Sequence, residues 1–147
     1  MRGNRRGTGL TGACRLRPAA EVGELAGCTL AAGEQAHLAR LPPAEQPEAF
    51  TVSWVRREAV LKATGHGLGG PPDELVVTPP STPPRVLHRD GPEPVWLRDL
   101  PAPCGYVAAL AGLGTAPDDV VHRDAGPLLR QTNRRLSGPT TRSQRYP

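Results

Sequence analysis

Trp54-Val55-Arg56-Arg57-Glu58-Ala59-Val60-Leu61-Lys62-Ala63-Thr64-Gly65 is the stretch on which the reading of this 147-residue chain turns. Glu58 and Lys62 stand one helical turn apart, so both side chains reach the same small volume, and Arg57 adds a fixed positive charge beside them. Phe50, Trp54 and Leu61 fall on one side of such a helix and Val52, Val55, Ala59 and Ala63 on the other, which predicts a helix buried nearly all round. A carboxylate in that setting needs a cation or a metal ion, because burying it alone is costly. Charge of both signs at this spacing suits an anionic phosphate substrate carrying a hard cation. In its plainer reading it is an i,i+4 pair stabilising an ordinary helix by about 0.2–0.5 kcal/mol.

The ends of this helix are marked in the sequence. Pro47 suits the first turn, where its missing N–H costs nothing, and Glu45 and Glu48 lie near the positive end of the helix dipole. Lys62 lies near the negative end, and Gly65 suits the left-handed position that stops a helix. The helix is predicted from Glu48 to Thr64. Upstream, a helix from Ala32 to Leu41 has Glu34 in its first turn and is separated from the central one by Pro42-Pro43, while the residues between Arg15 and Ala32 read as poorly regular. Downstream, short strands are predicted at Glu74–Thr78, Arg85–Arg89, Val95–Leu100 and Cys104–Leu110, with Asp90-Gly91 as a turn, a proline-rich surface loop at 78–85 and a last edge strand at Asp118–Arg123. The fold class expected is α+β, with helices packed on one face of a small antiparallel sheet.

Trp54, Arg57, Glu58, Ala59, Lys62 and Gly65 resemble the W-x-x-K-E-[AS]-x-x-K-x-x-G signature of the 4'-phosphopantetheinyl transferase superfamily, Sfp type. Phe50, Gly67-Leu68, the stretch of Trp96, Leu97 and Leu100, and Tyr106 to Gly112 are similar to the second half of that family. The likeness spans Arg15 to Arg123. It implies transfer of phosphopantetheine from coenzyme A to a serine of an acyl or peptidyl carrier protein, with release of adenosine 3',5'-bisphosphate and with magnesium at the diphosphate. By the same resemblance Glu58 is a metal ligand that helps to activate the serine, Lys62 contacts the diphosphate, and both count as catalytic. Arg57 stands where the family has lysine, a fork in place of a point charge. Arg57, Lys62 and, as a neighbour of the central helix, His66 are the candidate residues for binding coenzyme A.

The chain departs from the family at its amino end. A family strand reading roughly G-[VI]-D-x-E supplies two further acidic metal ligands, but the corresponding residues here are Leu10-Thr11-Gly12-Ala13-Cys14, and no Asp or Glu precedes Glu21. The sequence therefore reads as a truncated carboxyl half, with a complementary half-domain as a possible partner. Glu58 then stands as a lone carboxylate, and a lone carboxylate makes a weak magnesium site.

Composition and charge bound the remaining readings. Aromatic residues make up 3% and there are 18 Pro and 17 Gly, so a thin core is expected. The formal charge of +4 hides an uneven distribution: the first 17 residues hold five Arg and no acid, and residues 124–147 hold five Arg against Asp124. Residues 1–14 and 124–147 are read as disordered basic arms around a transferase-like domain at 15–123. Gly65, Gly67 and Gly70 match G-x-G-x-x-G but follow a helix where a dinucleotide site needs a strand. His37, His66, His88 and His122 have no local ligand spacing, and Cys14, Cys28 and Cys104 have no C-x-x-C spacing. No run of eighteen apolar residues and no secretory signal is present, so a cytoplasmic chain away from membranes is expected. Two alternatives stay open, an inactive remnant that at most docks a carrier protein and a nucleic-acid binder using its arms. Against the second, only Tyr146 is interleaved with the arm arginines.

Overall fold

The computed structural model describes residues 8–10, 14–67 and 69–121. In chain order the elements are strands β1 (Thr8–Leu10) and β2 (Cys14–Arg15), helices α1 (Ala19–Thr29), α2 (Ala32–Ala39) and α3 (Gln46–Thr64), a single 3-10 turn at Pro72–Glu74, and strands β3 (Leu75–Val77), β4 (Val86–Arg89), β5 (Val95–Leu100) and β6 (Tyr106–Leu113). The arrangement is α+β, as the sequence predicts. Pro117 to Val121 lie outside the compact unit that ends at Ala116 and carry no regular structure. The edge strand expected at Asp118–Arg123 is therefore absent over Asp118–Val121, and the rest of it lies outside the described residues.

β6 is the middle of the larger sheet. It pairs antiparallel with β5 from Val95↔Leu113 to Leu100↔Ala108, and on its other side with β1 (Thr8↔Gly112 to Leu10↔Leu110) and β2 (Cys14↔Val107). β3 and β4 make a separate antiparallel hairpin with an irregularity at Val76/Val77. Within the stretch 1–14 expected as an arm, Thr8–Leu10 and Cys14 stand in strands, and the rest of that stretch lies outside the described residues. The two strands satisfy the backbone groups of β6 that β5 leaves unpaired, a demand no local pattern in the arm announces.

α1 is a second correction, because Ala19–Thr29 reads from sequence as irregular. Gly23 and Gly27 each weaken a helix by about 1 kcal/mol relative to alanine. Burial outweighs them: Val22, Ala26 and the following Leu30 pack with Leu38, Ala49 and Phe50. A helix of this length draws most of its stability from such packing.

α3 is the axis of the domain. Pro47 and Glu48 sit in its first turn, and Gly65, at φ +74°, stops it with its N–H 3.3 Å from the Lys62 carbonyl. One flank meets α1 and α2 through Ala49 and Phe50. The other packs Val55, Ala59, Val60 and Ala63 onto Leu75, Val77, Leu97, Ala109 and Ala111. Ala59, Ala109 and Ala111 have no solvent-exposed surface, and such small side chains let helix and strand approach closely. Trp54 packs against both clusters. Among the described residues no helix is long and apolar enough to cross a membrane.

The glycines of the two layers should respond oppositely to alanine. At Gly23 and Gly27 an added Cβ meets nothing within 4 Å, so each substitution should raise stability by about 0.5–1 kcal/mol. At Gly112 it would lie 2.4 Å from the Trp96 ring, and Gly112→Ala should cost about 1–3 kcal/mol. Urea unfolding midpoints check both, and a midpoint unchanged in Gly112→Ala would refute the close approach.

Candidate active site

α3 brings Glu58 and Lys62 together as their spacing requires. Lys62 Nζ lies 3.6 Å from Glu58 Oε2, with the lysine side chain 49% exposed and the glutamate 18%. Glu58 is thus mostly covered, and Lys62 supplies its neutralising charge.

Arg57 points inward. Its Nη1 donates to Glu34 Oε2 at 2.9 Å and to the Leu75 carbonyl, and its Nη2 donates to the Pro72 carbonyl at 2.8 Å. Glu34 is equally committed. Its Oε2 also accepts the Ala31 N–H at 2.9 Å, capping α2, and its Oε1 accepts the Val77 N–H at 3.0 Å. Both side chains are more than nine-tenths buried. The arrangement joins the start of α2, the middle of α3 and the chain from Pro72 to Val77. Glu34 appears in the sequence only as a first-turn acid. The signal of its larger role is Arg57 itself, since a guanidinium in a helix buried nearly all round requires an acceptor.

Arg56 makes the same point on the neighbouring face. It is 1% exposed and uses all five N–H groups: Nε and Nη2 meet Asp99 at 2.9 and 2.6 Å, Nη1 meets the Thr78 and Pro79 carbonyls at 2.9 Å each, and Nη2 also meets the Thr82 carbonyl at 3.1 Å. Pro79, Pro80, Pro83 and Pro84 have no N–H, so this loop has more acceptors than donors and Arg56 corrects the imbalance. The sequence reading gave Arg56 no role.

An open cavity of about 240 Å³ lies beside α3. Trp54, Arg57, Val60, Leu61 and Thr64 line it from the helix, together with Pro71, Pro72 and Leu75. His66, exposed just beyond the helix, is at its margin. The four residues singled out by sequence therefore divide. Arg57 and His66 line the cavity, whereas Glu58 and Lys62 do not. Gly65 caps the helix and Gly67 and Gly70 follow it, so the G-x-G-x-x-G spacing serves no strand-to-helix turn.

Residues 15–111 match the family model of the 4'-phosphopantetheinyl transferase superfamily. The chain belongs to that superfamily. The match runs from the end of β2 through most of β6, with α3 near its middle. No curated protein matches the chain.

Magnesium, which the family implies, can be tested against the side chains present. Among the described residues no three Asp, Glu, His or Cys side chains gather to hold a metal ion. Glu58 is neutralised by Lys62, and outside the described residues the sequence offers Asp124 as its sole acid. Magnesium strips its water reluctantly and prefers six oxygen ligands. The described residues do not by themselves fit that ion, and no step is assigned to it.

Two measurements follow. Arg57→Met and Glu34→Leu should each cost about 3–5 kcal/mol, because each strands a buried charge. The double variant should lose clearly less than the two combined, and additive losses in urea unfolding would refute the pairing. Titrating the chain with manganese as a magnesium probe, without coenzyme A, should reveal no saturable site tighter than about millimolar. A micromolar site would overturn the metal assignment.

Proposed function

We propose that the chain serves 4'-phosphopantetheinyl transfer from coenzyme A to a serine hydroxyl of an acyl or peptidyl carrier protein, in a cytosolic setting and with a complementary half-domain. The observation that carries this reading is the Glu58–Lys62 pair, an acid and a base held 3.6 Å apart on the central helix of a domain of this superfamily. The helix's other two cations differ, since Arg56 and Arg57 are buried and spent on internal acceptors. Lys62, half exposed, is the one of these with freedom to meet a diphosphate.

The chemistry follows from those two groups. Lys62 holds the diphosphate of coenzyme A by charge-assisted hydrogen bonds. Glu58 accepts the serine proton as Oγ attacks the phosphorus bearing the pantetheine arm. The new P–O bond forms as the bridging P–O bond breaks, and adenosine 3',5'-bisphosphate leaves. Arg57 holds α3 in place, and His66 stands at the rim of the neighbouring cavity for the nucleotide end. The magnesium of this reaction needs oxygen ligands from outside the described residues, which is the place the complementary half-domain fills.

A second reading is favoured by the poverty of metal ligands: a remnant that docks a carrier protein without modifying it. The nucleic-acid reading rests on arm arginines that fall largely outside the described residues, and nothing within them supports it.

Mass spectrometry of an apo carrier protein, incubated with coenzyme A, magnesium, this chain and a supplied first half-domain, separates these readings. A gain of one phosphopantetheine is expected, and Glu58→Gln and Lys62→Ala should each slow it by about 100-fold or more. Unchanged rates in both variants would remove the pair from the mechanism. Carrier binding without any mass gain would establish the docking remnant instead.

A further inference from the structure

α3 covers one face of the larger sheet. It packs with Val95, Leu97, Val107, Ala109 and Ala111, and alternation along each strand sends the residues between these to the opposite, outer face. Residues directly paired across an antiparallel ladder share a face. The register therefore sets Trp96 beside Gly112, Arg98 beside Leu110 and Leu100 beside Ala108 on the outer side, with Tyr106 beside Arg15 at the far end of β6. Among the described residues neither apolar cluster extends to this side.

An antiparallel sheet with one wet face alternates apolar and polar residues. β6 does not. Tyr106-Val107-Ala108-Ala109-Leu110-Ala111-Gly112-Leu113 carries no charged side chain, which is the composition of a strand covered on both faces. Trp96 adds to the outer side, since its ring lies against Gly112. Trp96 and Leu100 are half-buried and Tyr106 is exposed, while Ala108, Leu110 and Gly112 between them are buried. An apolar patch of this kind with a polar margin marks an interaction surface.

The charges on it choose the partner. Arg15 and Arg98 lie on the outer side and no Asp or Glu does, and β1, Thr8-Gly9-Leu10, adds none. A second copy laid on this face would bring further cations and no carboxylate, and a guanidinium desolvated without an acceptor is costly. A partner with carboxylates at the margin of its own apolar surface meets both demands.

We propose that the outer face of the larger sheet is the seat of a second, different protein domain, apolar at its centre and acidic where it meets Arg15. Its identification with the complementary half-domain rests on the transfer reading above.

Isothermal titration of the full chain with the first half-domain of the transfer assay, without coenzyme A or carrier protein, tests this. A complex is expected. Arg15→Glu should weaken it by about 10-fold or more, the scale of one lost charged hydrogen bond, and the loss should shrink in high salt, a response that misfolding does not give. Tyr106→Ala should weaken it by about 10-fold at any salt. Both residues are exposed, so neither change strands a buried group. Leu87→Ser, at an exposed apolar position on the β3–β4 hairpin, should leave binding unchanged. Absence of a complex, equal loss in Leu87→Ser, or self-association of the chain that Tyr106→Ala abolishes would each overturn the proposal. A complex that forms without modifying a carrier protein upholds it and sinks the transfer reading alone.

Discussion

Two adjacent guanidinium groups inside a packed layer are the constraint around which this domain is built. Arg56 and Arg57 leave α3 on neighbouring faces and are 1% and 4% exposed. A buried charge without partners is prohibitively costly, so the surrounding chain has to deliver acceptors to both. Arg57 recruits Glu34 and two carbonyls near the start of β3, while Arg56 recruits Asp99 and three carbonyls near the proline-rich loop. These contacts settle where α2, the 3-10 turn, the proline loop and β5 stand relative to the central helix. Apolar packing alone, in a domain with so few aromatic side chains, would specify those positions less sharply.

The low aromatic content has a structural counterpart in the layer between α3 and β6. Contact there is made by alanine on both sides, with Ala59 against Ala109 and Ala111 in one cluster. Small side chains bury little area each, yet they bring backbone close to backbone, and the core gains packing density in place of bulk. Trp54 and Phe50 are then left for the helical flank, and Trp96 for the strip over Gly112. The thin core expected from composition is thus a close one. It is sensitive to added methyl groups where strand and ring meet and tolerant of them on the exposed side of α1.

Local signals made α3 legible. Its stop at Gly65, its early proline and acid, and its burial on nearly every side all follow from residues within one stretch. β5 was equally readable, from its residues following the Asp90-Gly91 turn. What escaped was set by distant partners. α1 carries two glycines that argue against a helix, and it stands because Val22 and Ala26 find Phe50 and Ala49. β1 and β2 are too short to show a period, and they exist because β6 has a second edge to pair. The site divided along the same line. The Glu58–Lys62 contact is local and was read correctly as a pair. The fate of Arg57 depends on Glu34, which lies 23 positions earlier, and spacing within one helix says nothing of such a partner.

The division of charges along α3 bears on how a domain of this superfamily can be organised. Four ionisable residues fall within seven positions, 56 to 62. Two are saturated inside the fold and two face outward as a neutral pair. A helix fixed by the first two presents the second two without spending them on structure, and preorganised charge is what phosphoryl transfer asks of a protein, since little covalent chemistry is left for it to do. The same economy explains why the described residues fall short of a metal site. The sheet edge formed by β1 and β2 reaches α3 but brings no carboxylate, because the sequence has none before Glu21. Glu58 is balanced by Lys62. Whatever oxygen ligands complete a magnesium shell for the proposed reaction must come from outside the described residues, and this requirement follows from charge placement on one helix and one sheet edge.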